Sequence, residues 1–208
     1  ENGAQQVPKF SPDGTMIAFV RDNNMFLVKL LFGNSESQIT TDGEFRKIIN
    51  GIPDWVYEEE FATNCSFDFS ADSKVIAYIK YDESNVMMYD MPMYNGGNSK
   101  EYFDFSKPYS FKYPVAGADN AKVSVHSFDI KSRVTRQLDV NIPEEGYIPR
   151  IKFTKDPNTL AVLTLNRHQS VLEVQAVNPL SGVSKTILRE ESDTYLNEQT
   201  YSGIEFLD

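Results

Sequence analysis

Three consecutive glutamates, Glu58 to Glu60, form the densest run of carboxylates in the chain. Ionised carboxylates accept strong charge-assisted hydrogen bonds, so a pair of them could bind an ammonium group or another cation. If the run is helical, successive side chains point about 100° apart around the axis, so two neighbours could converge on one cation while the third points elsewhere. The alternative is a solvated acidic turn, which is what most isolated charge runs form.

A short helix is predicted to position these glutamates, from near Asp54 to Phe61. Asp54 is a favourable N-cap residue because its side chain can accept hydrogen bonds from the free N–H groups of the first turn. Pro53 favours a sharp entry into that turn. The glutamates then lie close to the helix start, where the positive end of the helix dipole stabilises negative charge.

The rest of the chain repeats one unit of β-structure. Each copy has an aromatic residue, a polar turn that contains aspartate, and an apolar strand with an alanine inside it, followed by a second turn and a second strand. The copies begin at Phe10, Phe69 and Phe153. Their second strands are predicted at 25–28, 86–89 and 171–174.

Repeated meander units indicate the blades of a β-propeller, in which each four-stranded antiparallel sheet buries its faces against its neighbours. We therefore predict an all-β fold over residues 1–208: a propeller fragment of three to four blades with one short inserted helix. A fourth copy is predicted to begin at Ile204. Because a closed propeller needs about four to eight blades, the chain is expected to be part of a longer protein. A self-contained β-sandwich is the alternative.

A long insertion separates the second and third copies, at about Met91 to Ala121, and is rich in Tyr, Gly, Asn, Ser and Pro. Residues 94–99 are predicted to form a turn or loop. The aromatic residues of this region are expected to pack within the loop, and a substrate or dimer contact is the alternative. They are Tyr89, Tyr94, Tyr102, Phe103 and Phe105. Strands are predicted again at 123–130 and 136–140.

The composition excludes several functions. A net charge of −10 argues against nucleic-acid binding, which requires a basic face. The single cysteine, Cys65, leaves no disulfide framework and is expected to be a packing residue. No run of apolar residues approaches the roughly 18 needed to span a bilayer.

No complete catalytic or metal site is encoded. The G-x-S-x-G motif of an α/β-hydrolase nucleophile is absent. The two histidines, His126 and His168, lie in or beside predicted strands without a partner motif, so they are expected to be surface or packing residues. No metal-binding motif occurs, and we predict no metal and no cofactor.

The segment from Asn50 to Glu60 closely resembles the substrate-anchoring segment of the dipeptidyl peptidase IV family of serine peptidases, and it includes the run Asp-Trp-Val-Tyr-Glu-Glu-Glu. Two further stretches resemble the same family in the same order. Tyr113 to Gly117 matches its tyrosine–proline–x–alanine–glycine segment, and Asn166 to Gln169 matches a turn that follows an apolar strand. Phe69-Ser70-Ala71 stands where relatives often carry Trp-Ser-Pro, which changes packing more than recognition.

The resemblance implies an eight-bladed propeller followed by an α/β-hydrolase catalytic domain that this chain does not include. It also implies that Glu59 and Glu60 bind the free α-amino group of a peptide substrate. The residues that would support the helix are Asp54, Trp55, Tyr57 and Glu58. Expected partners are a peptide with a free N-terminus, the catalytic domain of the same protein, and a second copy in a homodimer.

The function that the resemblance implies is the release of N-terminal X-Pro dipeptides by a periplasmic, cell-surface or secreted enzyme, with this chain inactive by itself. Two alternatives stay open. One is a propeller without catalysis that binds a protein or peptide. The other is a prolyl tripeptidyl peptidase, which the complete Trp-Val-Tyr-Glu-Glu-Glu run disfavours.

Overall fold

The repeated sequence unit folds into antiparallel sheets. The computed structural model describes residues 3–94 and 106–206. In these ranges three sheets, of four, five and four strands, follow one another along the chain as blades. The prediction of an all-β propeller fragment with an inserted helix is confirmed.

The first blade is a simple meander. Its strands are β1 (Gln6–Phe10), β2 (Met16–Arg21), β3 (Asn24–Lys29) and β4 (Ser35–Gln38), paired in that order. The two residues that join β2 to β3, Asp22 and Asn23, have φ angles of 50° and 59°. Asp and Asn tolerate this left-handed conformation, and two successive residues of this kind match the twist of a tight hairpin.

The second blade contains two insertions. Its strands are β5 (Ile48–Asn50), β6 (Phe67–Phe69), β7 (Val75–Asp82), β10 (Lys122–Asp129) and β11 (Val134–Gln137). Both β5 and β6 pair with the same edge of β7, β5 with residues 80–82 and β6 with residues 76–78. Helix α1 (Trp55–Glu59) is inserted between them, and a separate hairpin of β8 (Met88–Met93) and β9 (Lys107–Lys112) is inserted between β7 and β10.

The structure corrects one predicted strand. We expected residues 86–89 to form the strand that pairs with β7, but β10 takes that position. A strand in the middle of a blade must bury side chains against neighbouring sheets. β10 buries Val125, Ser127 and Phe128, whereas every residue of β8 is exposed.

The third blade again follows the simple order. Its strands are β12 (Tyr147–Phe153), β13 (Leu160–Leu165), β14 (Val171–Val177) and β15 (Ser184–Glu191). A single helical turn that the sequence did not predict, α2 (Gln199–Ser202), follows them. The predicted fourth copy is not formed by residues 204–206, which are outside any strand. Its last two residues lie outside the described residues.

The polar turn of the repeat has the same hydrogen bond in all three blades. The backbone N–H groups of Ser11, Ser70 and Thr154 each donate to the carbonyl oxygen five residues further on, at 2.9, 2.9 and 3.0 Å. In the first two copies the serine hydroxyl also donates to the aspartate two residues later. The turn therefore closes through short-range bonds that the local sequence specifies.

The apolar core lies between the blades. One cluster joins the first and second sheets, and a larger one joins the second and third sheets with α1 and Tyr201. Among the described residues, no helix has the length and apolarity needed to cross a bilayer. Of the aromatic residues singled out in the insertion, Tyr89 contacts Phe111 and Tyr113 and Tyr94 is exposed. Residues 102, 103 and 105 lie outside the described part of the chain.

Candidate functional site

The helix that carries the glutamates is fixed at its entry by Gly51. The N–H of Gly51 donates to the carbonyl of Ile79 in β7, and its own carbonyl accepts from Ser66. Gly51 has a φ of +79°, and a Cβ here would lie 3.0 Å from the side chain of Met25. Only glycine combines this backbone conformation with such a close approach, so the helix leaves the blade at a defined point.

The predicted N-cap is confirmed. The Asp54 side chain accepts a hydrogen bond from the N–H of Tyr57 at 3.0 Å, and the backbone N–H of Glu60 closes the last turn on Val56. The helix is shorter than the predicted range, because Glu60 is its C-cap and Ala62 then has a positive φ of 48°. Of the three glutamates, Glu58 and Glu59 therefore belong to the helix and Glu60 ends it.

Two buried aromatic residues hold the underside of the helix to the third blade. The rings of Tyr57 and Phe61 both lie against Tyr147 of the third blade, with centroid distances of 6.2 and 5.2 Å. The Tyr57 ring also lies 4.9 Å from Tyr81 of β7. The Tyr57 hydroxyl accepts a hydrogen bond from the backbone N–H of Ile148 at 2.9 Å. Burial raises the pKa of Tyr57 well above its ordinary value, so the phenol stays neutral.

Arg150 clamps the segment that follows the helix. Its guanidinium donates to the carbonyl of Phe61 at 2.6 Å, to the carbonyl of Pro149 at 2.7 Å and to the hydroxyl of Thr63. It also pairs with Glu198 at 3.1 Å. Sequence reasoning missed this residue. The one available signal is an arginine at the centre of Tyr147–Phe153. Apart from Pro149, its hydrogen-bond partners lie 48 to 89 residues away in the sequence.

Trp55 connects the helix to the segment after β9. Its ring meets the edge of Tyr113, with centroids 4.4 Å apart, and lies 6.2 Å from Phe111. The stretch from Tyr113 to Gly117, singled out in the sequence, thus lies beside the glutamate helix. Aromatic pairs in such edge-to-face geometry stabilise their contact beyond simple burial.

The glutamates do not share one environment. All three are exposed. Glu60 lines an open cleft of about 1030 Å³ between the helix, the 113–117 segment and the β13–β14 turn. Glu58 lines a different cavity of about 270 Å³, which it shares with Asp54 and Glu83. Glu59 lines neither of these two cavities, so the structure separates Glu58 from Glu60. Amine binding by Glu59 and Glu60 stays a prediction.

The large cleft is acidic. Its charged lining residues include Glu60, Glu144 and Glu145 against a single arginine, Arg167. Arg167 donates to the carbonyl of Ala118 at 2.7 Å and lies 3.9 Å from the Glu145 carboxylate. Carboxylates concentrated in a concave surface attract cations, so the cleft suits a positively charged ligand group.

Comparison with known proteins identifies the family. The family profile described as "Dipeptidyl peptidase IV (DPP IV) N-terminal region" matches residues 1–204. The chain belongs to the dipeptidyl peptidase IV family. It is 38% identical over 200 residues to the probable dipeptidyl-aminopeptidase B of Arthroderma benhamiae, and the match covers 92% of this chain and 22% of that protein. It is 32% identical over 202 residues to the probable dipeptidyl peptidase 4 of Aspergillus fumigatus, covering 95% and 26%.

A solved structure of the dipeptidyl peptidase IV family has the same fold. The chain superposes on dipeptidyl peptidase 4 of Porphyromonas gingivalis with a TM-score of 0.88 and 42% sequence identity, covering 96% of this chain and 27% of that one. The chain therefore spans about a quarter of the length of these relatives and corresponds to part of their N-terminal region. The family assignment made from the Asn50–Glu60 segment is confirmed.

The histidines of this chain form no catalytic triad among the described residues. His126 lies 2.9 Å from the Ser124 hydroxyl through Nε2 and stacks on Tyr78. Within the described ranges, no carboxylate is hydrogen-bonded to its other ring nitrogen, and burial lowers the pKa of His126 to about 4. A general base needs a carboxylate to orient it and a pKa near neutrality, and this imidazole has neither. His168 is exposed and lines the large cleft.

Two carboxyl groups beneath the glutamate helix have raised pKa values. Burial raises the pKa of Asp54 to about 6. Burial, followed by the charge of Asp54, raises the pKa of Glu83 to about 7, although Lys112 and Arg46 act in the opposite direction. In the described parts of the chain, no group of three metal-ligating side chains occurs.

Replacing Glu83 with glutamine is expected to change how stability depends on pH. When folding raises the pKa of a carboxyl group, that group stabilises the native state at pH values below its pKa in the unfolded chain. This stabilisation is lost as the pH rises through its pKa in the folded chain. For Glu83 the loss falls between about pH 4.5 and pH 7. The Glu83→Gln variant should therefore melt at a higher temperature than the wild type at pH 8. At pH 4.5 the two melting temperatures should differ little.

Thermal unfolding measured across this pH range tests the prediction. The control is Glu144→Gln, which makes the same substitution at an exposed carboxylate. A Glu83→Gln variant with the same pH dependence as the wild type would contradict the buried, charge-coupled position of Glu83.

Proposed function

We propose that this chain is the substrate-anchoring part of the propeller of a longer dipeptidyl peptidase IV-like serine exopeptidase that releases N-terminal X-Pro dipeptides. The single observation that carries the proposal is Glu60, which projects from a capped and clamped helix into a wide acidic cleft. Family membership and relatives named as dipeptidyl peptidases support it.

The chemistry of the anchor follows from the groups involved. A peptide N-terminus is an ammonium with three N–H donors, and carboxylates accept such donors in charge-assisted hydrogen bonds. Glu60, together with Glu59, binds this ammonium. An internal peptide segment has no ammonium, so it is rejected. Holding the amine at a fixed distance from a nucleophile determines how many residues are released.

The rigid support of the helix matters for this role. Reacting groups must be held within a fraction of an ångström for efficient catalysis, so an anchor on a mobile loop would position the substrate poorly. The Asp54 cap, the Tyr57–Ile148 hydrogen bond and the Arg150 clamp hold the helix from three directions. The serine nucleophile and its partners come from a hydrolase domain outside this chain.

The free amine of the substrate provides the direct test. In the longer protein, a Gly-Pro chromogenic substrate should be cleaved at least about 100-fold more efficiently than its N-acetylated form, since acetylation removes the ammonium and its charge-assisted bonds. Equal values of kcat/KM for the two substrates would contradict the amine anchor. Tight peptide binding with no turnover of either substrate would instead favour a propeller that binds peptides without catalysis.

The 208-residue chain by itself is expected to be inactive. It encodes no nucleophile motif, so incubation with the Gly-Pro chromogenic substrate should release no product above the uncatalysed rate. The longer protein, assayed in parallel, is the control. Turnover by the short chain that a serine-directed inhibitor abolishes would contradict the prediction.

A further inference from the structure

Another cavity lies between the first two blades, at the end of the sheets opposite the glutamate helix. Its lining includes Thr15 and Met16 at the start of β2, Ser73 and Lys74 just before β7, and residues 130–131 after β10. Glu83, which shares a cavity with the helix cap, directly follows the other end of β7. The eight residues of β7 span about 26 Å, so the two sites lie far apart.

The floor of this cavity is apolar. Met16 and Ile130 are 7% and 9% exposed, and their buried side chains belong to the core that joins the two blades. Leu31 lies at the rim and is 74% exposed. A large aliphatic side chain left in solvent at the mouth of an apolar cavity provides a contact surface for a ligand's hydrocarbon part.

The charged residues of the cavity are all basic. Lys29, Lys74 and Lys131 line it and no carboxylate does, although the whole chain has 30 acidic and 20 basic residues. Lys74 is paired with Asp72 at 2.9 Å. Lys29 and Lys131 have no carboxylate partner within residues 3–94 and 106–206, so two ammonium groups are available at the rim.

The aspartates of the adjoining turns are already engaged. The Asp13 carboxylate accepts hydrogen bonds from Ser11 and Thr15. The Asp129 carboxylate accepts from the backbone N–H groups of Lys131 and Ser132 at 2.9 and 3.0 Å. These carboxylates close their own turns, and they hold the backbone at the cavity wall in place.

We propose that this inter-blade cavity binds a small amphipathic carboxylate, with its hydrocarbon part against Met16, Leu31 and Ile130 and its carboxylate between Lys29 and Lys131. The cavity volume of about 350 Å³ is in the range of small-molecule sites, which are mostly apolar with a few polar groups that fix orientation. The proposal does not depend on the amine anchor, since the two sites lie at opposite ends of the blades.

Octanoate is the probe that tests this site, with titration followed by calorimetry on the full chain after circular dichroism has established a β-rich fold. Octanoate should bind saturably at millimolar concentration or below. 1-Octanol lacks the charge and acetate lacks the hydrocarbon, so both should bind at least about tenfold more weakly, because each retains only one of the two interactions.

Variants of residues that line the cavity separate the two halves of the site. The double variant Lys29→Gln/Lys131→Gln should weaken octanoate binding about fivefold, as expected for two partly solvated ion pairs. Leu31→Gln should weaken it by a similar factor through lost apolar contact. The matched control Lys107→Gln/Lys185→Gln removes two exposed lysines elsewhere, with the same change in net charge, and should bind within twofold of the wild type.

Three results would each overturn the proposal: no saturable octanoate binding by the wild-type chain, equal binding by the Lys29→Gln/Lys131→Gln variant, or an equal loss in the control pair. The first would mean that the cavity takes no such ligand. The other two would mean that octanoate binds through general hydrophobic or electrostatic attraction.

Discussion

Replacing Glu60 with alanine in the longer protein is expected to lower kcat/KM for a free-amine dipeptide substrate by roughly 10- to 150-fold. A hydrogen bond to a charged group contributes roughly 1.5–3 kcal/mol, and each 1.36 kcal/mol lost from transition-state stabilisation costs about tenfold in rate. Glu60 is the glutamate of the triplet that lines the large acidic cleft, so its removal should have the greatest effect. Glu59→Ala is expected to act in the same direction.

Glu58→Ala is the matched control for this experiment. It removes the same functional group from the same helix, but Glu58 lines the separate cavity beside Glu83, so kcat/KM should change less than threefold or so. A small irreversible reagent that lacks an amine should react with the nucleophile of all variants at the wild-type rate. Near-normal kcat/KM for folded Glu59→Ala and Glu60→Ala variants would rule out the amine anchor.

Truncating Tyr57 to alanine is expected to lower the free energy of unfolding of the chain by about 3–5 kcal/mol, as for other large buried aromatic side chains. Tyr57 is 2% exposed and packs against Phe61, Tyr81 and Tyr147. The conservative Tyr57→Phe variant keeps the ring but leaves the Ile148 N–H without its acceptor. The Tyr57→Phe substitution should lower the free energy of unfolding by about 1–3 kcal/mol, the penalty for an unsatisfied buried polar group.

Urea denaturation of the purified chain measures both losses. Tyr195→Ala is the matched control, because Tyr195 is 67% exposed and its truncation should change stability by less than about 0.5 kcal/mol. Equal stability of Tyr57→Ala and Tyr195→Ala would show that the helix does not rest on the aromatic cluster. In the longer protein, a Tyr57→Phe variant with weakened helix support should also lose kcat/KM although it keeps all three glutamates.

Local sequence determined the features that depend on neighbouring residues. The three polar turns close through bonds over five residues, and the Asp54 cap reaches only to Tyr57. Such contacts join residues that are close in the sequence, so serine and aspartate at fixed offsets predicted the polar turns and the helix start. The Asn50–Glu60 segment was specific enough to indicate the family, which the match over residues 1–204 then confirmed.

Tertiary structure decided which strand joins which sheet and what surrounds each glutamate. The β7–β10 pairing joins residues 40 or more positions apart, such as Lys122 and Asp82. The pattern of residues 86–89 could not show that a hairpin is inserted there and that β10 takes the place beside β7. The Tyr57–Ile148 bond spans 91 residues and the Arg150–Phe61 bond spans 89. Glu58 and Glu60 are the same residue type, and the sequence alone does not distinguish them. Their surroundings differ in the folded chain: Glu60 faces the 113–117 segment and the third blade, whereas Glu58 faces the cavity that contains Glu83.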